Sequence, residues 1–132
     1  MWKKQLNLTE ARALSYEFCS DFKLDYCEIY YVDKIGDAKG QYFYLDPPHI
    51  LMTCNCLNKI GILMHELTHH LECQFYLKGD CYKSKETSHG YSYQLSKHKV
   101  VSWCRKNISK KPNWYIPLRA GYIKKDMIDF KI

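Results

Sequence analysis

The chain has 132 residues, a hydrophobic composition of 46% and a formal net charge of +6. That length suits one domain with a core of its own, expected to span residues 1–132. No stretch approaches the ~20 apolar residues of a membrane span. Met1-Trp2-Lys3-Lys4-Gln5-Leu6-Asn7 lacks the apolar run of a signal peptide, so a cytoplasmic protein with no membrane partner is expected.

In chain order, Asn7 with Glu10 has the spacing of a capping box, and Ala11, Leu14, Phe18 and Phe22 mark one apolar face. A helix over about 7–23 follows from that. Residues 25–32 are rich in Tyr, Ile and Val and read as a strand. Gly36 to Gly40 is a turn, Gln41 to Leu45 a second strand, and His49 to Thr53 a third after Asp46-Pro47-Pro48. A helix over about 57–78 carries Leu67, Leu71 and Phe75 at helical spacing and ends at Lys78-Gly79. A polar loop follows. A third helix runs from about His89 to Lys106, with Tyr93, Val100, Val101 and Cys104 inward, and Pro112 and Pro117 make the last segment irregular. The expected class is α+β: a small antiparallel sheet packed with an N-terminal helix, a central helix and a following helix.

The seven cysteines are odd in number and irregular in spacing, which favours free, mostly buried thiols. Cys54-Asn55-Cys56 is not a C-x-x-C pair, so no zinc ribbon is expected, and Cys73 reads as core or as a support of the site. Charge is uneven: the balance is −2 over residues 1–86, +9 over 87–125 and −1 over 126–132. The basic third is equally suited to a polyanion such as DNA and to a solvated face. Lys99 and Lys106, with Lys110 and Lys111, are the candidate nucleic-acid contacts; Trp103 and Trp114 are either base-stacking rings or, the commoner fate of that residue, part of the core.

The chemistry concentrates in His65-Glu66-Leu67-Thr68-His69. Four residues of helix separate the two imidazoles by ~6 Å of rise and ~40° of rotation, so both can reach one metal ion. Glu66 projects from the adjoining side as a general base. Two histidines, one base and an open position are what metal-assisted hydrolysis requires. The motif fixes only three positions, but it sits behind the apolar Ile60-Gly61-Ile62-Leu63-Met64 and before a His-Gly at His89-Gly90.

The order of elements resembles the SprT-like zinc metallopeptidases, to which the Spartan-type DNA–protein crosslink proteases belong. Gly40-Gln41-Tyr42-Phe43-Tyr44, His49-Ile50-Leu51-Met52-Thr53, Ile62 to His69 and His89-Gly90-Tyr91-Ser92-Tyr93 carry the resemblance, over roughly residues 7–106. It implies a mini-zincin-like fold with one catalytic Zn2+ on His65, His69 and His89, and Glu66 as base. The cysteine zinc ribbon of many members is missing.

The third ligand has a rival. Glu86, seventeen residues past His69, would instead make the chain resemble the ImmA/IrrE-like peptidases that cleave repressors. His70 points ~100° away from His69 and is not an expected ligand. His49 and His98 carry no assigned role. The expected activity is that of an intracellular zinc endopeptidase in which Glu66 assists attack of zinc-bound water on a peptide bond of a protein or peptide substrate, DNA-associated proteins among them. Tyr91 and Tyr93 are the candidate oxyanion donors, and His49–Thr53 is the candidate edge for a substrate strand. The alternative class is a non-catalytic zinc-containing module binding nucleic acid or protein.

Overall fold

The computed structural model describes residues 6–45, 47–56, 59–78 and 90–107. Helix α1 spans Leu8–Phe22, and the capping box is complete: the Asn7 side chain accepts from the Glu10 amide at 2.8 Å while Glu10 accepts from the Asn7 amide at 2.9 Å. Its apolar face, Ala11, Leu14 and Phe18, is fully buried. The helix ends at Lys23, which takes the left-handed conformation and closes the last turn with its own amide.

Strands β1 (Glu28–Val32), β2 (Gly40–Phe43) and β3 (His49–Thr53) form a sheet of order β1-β3-β2. β2 and β3 are antiparallel, but β1 runs parallel to β3, so the sheet is mixed rather than antiparallel. The correction has a topological cause: β2 crosses to the far side and β3 returns between it and β1, in the direction of β1. The inward row pairs Ile29 with Ile50, Tyr31 with Met52 and Tyr42 with Ile50. As the central strand, β3 cannot be the edge that takes an added strand. Among the described residues the edges are β1 and β2. α1 lies against β1 and occupies carbonyls there or just before it: Arg12 Nε donates to Ile29 O at 3.2 Å and Ser15 Oγ to Cys27 O at 2.6 Å.

Helix α2 spans Lys59–Leu71 and continues as a π-helical turn over Glu72–Tyr76. Ile60, Leu63, Met64, Leu67 and Leu71 bury the apolar stripe, each contributing about 1.5–3 kcal/mol by leaving water. Phe75, expected on that stripe, is 48% exposed, because the wider i→i+5 turn rotates it out of α-helical register. α3 spans Tyr91–Asn107 and buries Tyr93, Ser96, Val100, Trp103 and Cys104. No described helix is long and apolar enough to cross a membrane. Cys19, Cys27, Cys54, Cys56 and Cys104 are free thiols, whereas Cys73 is disulfide-bonded, which corrects the expectation of free thiols at that position. Burial pushes the Cys19 thiol up to about 11 and that of Cys104 to about 12, so neither is a reactive thiolate at neutral pH. The last segment, Lys110, Lys111 and Trp114 included, lies outside the described residues.

Trp103 is a core residue and not a stacking platform. It is 7% exposed, its ring stands edge-on to Phe18 at 5.3 Å, and its Nε1–H donates to Asp21 at 2.8 Å. Trp103→Ala is expected to lower the unfolding free energy by about 3–5 kcal/mol, read by urea titration. Trp103→Phe keeps an aromatic edge on Phe18 and loses less. A loss under about 1 kcal/mol for the alanine variant would remove Trp103 from the core.

Candidate active site

α2 is fastened before its motif begins. Lys59 is buried, and its ammonium donates to the carbonyls of Cys54 at 2.7 Å and Cys56 at 3.0 Å, tying the helix start to the chain leaving β3. Two turns on, His65 and His69 lie half-buried with ring centroids 5.0 Å apart. Tyr93 of α3 packs against both, 5.6 Å from the His65 ring and 4.9 Å from that of His69. Its hydroxyl is 3.0 Å from His65 Nδ1. His69 Nδ1 faces Glu72 Oε1 at 3.7 Å, inside ion-pair range and just beyond hydrogen-bond length.

Glu66 is 7% exposed. The Tyr42 backbone N–H donates to its carboxylate, and His69 lies close enough to ease its charge. Burial outweighs both and raises its pKa above the usual carboxylate range. A carboxylate so raised is a better proton acceptor at neutral pH than one in water. The approach of β2 depends on Gly40. A Cβ there would meet Ile62 Cγ2 at 2.7 Å, Glu66 Cγ at 3.3 Å and Glu66 Oε2 at 3.5 Å.

His70 is turned ~100° from His69, toward the sheet, and is fully buried. Its Nε2 is 2.7 Å from Asp25 O, so Nε2 carries the proton, and Nδ1 accepts from the Tyr42 hydroxyl at 2.7 Å. Burial lowers its pKa and keeps it neutral. It thus braces the strand that contacts Glu66.

Of the expected site residues, His65, Glu66, His69 and Tyr93 are brought together. Tyr91 is 73% exposed. His89 and its rival Glu86 lie outside the described residues. Lys99 and Lys106 are on the exposed side of α3 with Arg105 and His98, and the Lys99 ammonium sits 4.1 Å over the Phe75 ring. His49 is on the outer sheet face, stacked on Phe43 at 4.8 Å, away from the site. Gly40, Tyr42, Glu72 and Ser92 were not singled out as site residues by sequence reasoning. Glu72 carries a usable signal, since it falls three residues after His69 and seven after His65, on their face of the helix.

Among the described residues, no group of three or more His, Cys, Asp or Glu side chains is placed to hold a metal ion. The donor chemistry nonetheless fits a metal in part. Nδ1 of His65 is turned to a hydroxyl and Nδ1 of His69 to a carboxylate; with the proton on each Nδ1, Nε2 would be the atom to coordinate a metal, the usual arrangement behind a zinc-bound imidazole. The Tyr93 hydroxyl at Nδ1 is therefore placed to orient His65. Its pKa is raised by burial first and by Glu66 and Glu72 next, so it stays protonated.

No family model, curated protein or solved structure matches the chain at a significant level.

The Gly40 contact yields a test. Gly40→Ala is expected to destabilise by about 1–3 kcal/mol through overpacking and to displace Glu66. Adding Ile62→Ala removes the nearest clashing atom and should restore part of that loss. A double-mutant cycle in urea measures it, and additive losses would deny the contact.

Proposed function

We propose that this chain is a zinc-dependent endopeptidase of SprT-like, mini-zincin type. The observation that supports the reading best is the placement of Glu66: a buried carboxylate beside His69, whose ring meets that of His65 edge to face, and accepting from the backbone amide of Tyr42 on β2. A structural metal site has no need of such a base. His65 and His69 would hold the metal, with His89 as the proposed third ligand and Glu86 its rival. Zinc bound there would supply Lewis acidity and lower the pKa of water toward neutrality.

The chain's own residues account for the rest. The Tyr42 N–H donates to Glu66 rather than to β3, so, among the described residues, this edge of β2 borders the proposed catalytic helix. A substrate peptide pairing along Gly40–Phe43 would place its carbonyl beside Glu66. Glu66 takes one proton from the attacking water as oxygen adds to the carbonyl carbon. It then delivers that proton to the leaving nitrogen as the C–N bond breaks. Tyr93 and Glu72 hold the imidazoles in one orientation.

A DNA-associated substrate is supported by charge alone. Lys99, Arg105 and Lys106 share the exposed side of α3, while burial of Trp103 removes one candidate stacking ring.

The test is chemical. Purified wild-type protein is expected to carry one zinc and cleave an unfolded protein. His65→Ala and His69→Ala should lose the zinc. Glu66→Gln should keep it and lose hydrolysis by ~10²-fold or more. Wild-type cleavage by Glu66→Gln would end the general-base assignment. Loss of zinc in Glu86→Ala but not His89→Ala would move the chain to the ImmA/IrrE-like reading.

A further inference from the structure

We propose that Glu72 is the positioning residue of this site, a single buried carboxylate that orients both imidazoles, His69 directly and His65 through the start of α3. The inference rests on the metal-site reading above and assigns work to a residue outside the H-E-x-x-H motif.

Glu72 is 8% exposed, and a buried carboxylate costs several kcal/mol unless it is partnered. Its two oxygens divide between two tasks. Oε1 faces His69 Nδ1 at 3.7 Å, and Oε2 accepts from Ser92 Oγ. Ser92 is the second residue of α3 and precedes Tyr93, whose hydroxyl meets His65 Nδ1 at 3.0 Å. The first turn of α3 is itself closed by Gln94 N–H to Gly90 O at 3.0 Å and Ser96 Oγ–H to Ser92 O at 2.8 Å. A pull on Ser92 is therefore transmitted to Tyr93. The carboxylate thus sets how far α3 sits from α2, and with it the contact that orients His65.

On His69 the effect is electrostatic. A carboxylate facing Nδ1 favours the tautomer with the proton there, which leaves the Nε2 lone pair directed at the site. Glu72 also opens the π-helical turn, its carbonyl accepting from Leu77 N–H at 2.9 Å across five residues. Such widened turns recur at functional positions in helices.

A mere helix–helix staple would stabilise the fold and leave metal affinity alone, which gives the experiment its contrast. Zinc affinity of the full chain is measured by chelator competition, beside the Tm of the metal-free protein, for wild type, Glu72→Ala, Glu72→Gln and Ser92→Ala. Glu72→Ala is expected to lose about 10–100-fold in zinc affinity. Glu72→Gln retains an acceptor for Nδ1–H and a partner for Ser92, and recovers part of that loss. Ser92→Ala, acting through Tyr93 alone, loses less than Glu72→Ala. If the alanine variant does not fold, reduced affinity in the glutamine and serine variants supports the assignment. Wild-type affinity in every variant that folds, with only Tm lowered, overturns it. A wild-type protein that takes up no zinc overturns the metal-site reading as well, so the two failures are distinct.

Discussion

Helix α2 is packed by α1, β2, β3, α3 and the π-helical turn, and few of its side chains reach bulk water. Every polar group on it must then find a partner inside the protein, because an unpartnered buried polar group costs about 1–3 kcal/mol. The partners decide the chemistry. Lys59 satisfies two carbonyls at the helix start, and Thr68 Oγ1 bonds back to Met64 O at 2.7 Å. His69 and His70 are adjacent in sequence, yet ~100° of helix rotation sends one to the site and the other into the sheet. His70 is fixed there as a neutral brace between Tyr42 and Asp25. His65, Glu66 and His69 are left sharing one polar face in an otherwise apolar helix.

The second determinant is how near the sheet comes. Antiparallel pairing with β3 places Gly40 opposite Met52 and Tyr42 opposite Ile50, so both face α2. A side chain at position 40 would hold β2 away from Glu66. With glycine, the strand edge reaches the carboxylate and supplies a backbone donor. In the proposed peptidase the same edge would take the peptide strand, so recognition and proton transfer would fall within one short segment of backbone. The other sheet edge is unsuited to that role because α1 is packed along it.

Much of this was legible in the sequence, and the exceptions share a cause. The Asn7–Glu10 cap, the bounds of His49–Thr53 and the buried stripe of α2 follow from local spacing, and the structure has them. Strand pairing is not local: parallel β1 and β3 are separated by β2, and no periodicity reports that. Phe75 leaves the stripe that its spacing predicts because the α-helical period does not hold through a π turn. Trp103 joins the core because α3 returns to α1, bringing its ring to Phe18 and Asp21 across some eighty residues of chain. Glu72 and Ser92 act as a pair only once α2 and α3 lie side by side. The H-E-x-x-H residues were visible at once because a helix alone sets their geometry.

The claim on which the rest stands is that paired imidazoles, and not the chain's abundant thiols, hold the metal. Zinc K-edge X-ray absorption of the purified protein distinguishes them directly. The expected result is one zinc per chain with nitrogen or oxygen scatterers at about 2.0–2.1 Å, an imidazole signature, and loss of that signal in His65→Ala. A first shell of sulfur at about 2.3 Å, unchanged in His65→Ala, would contradict the account.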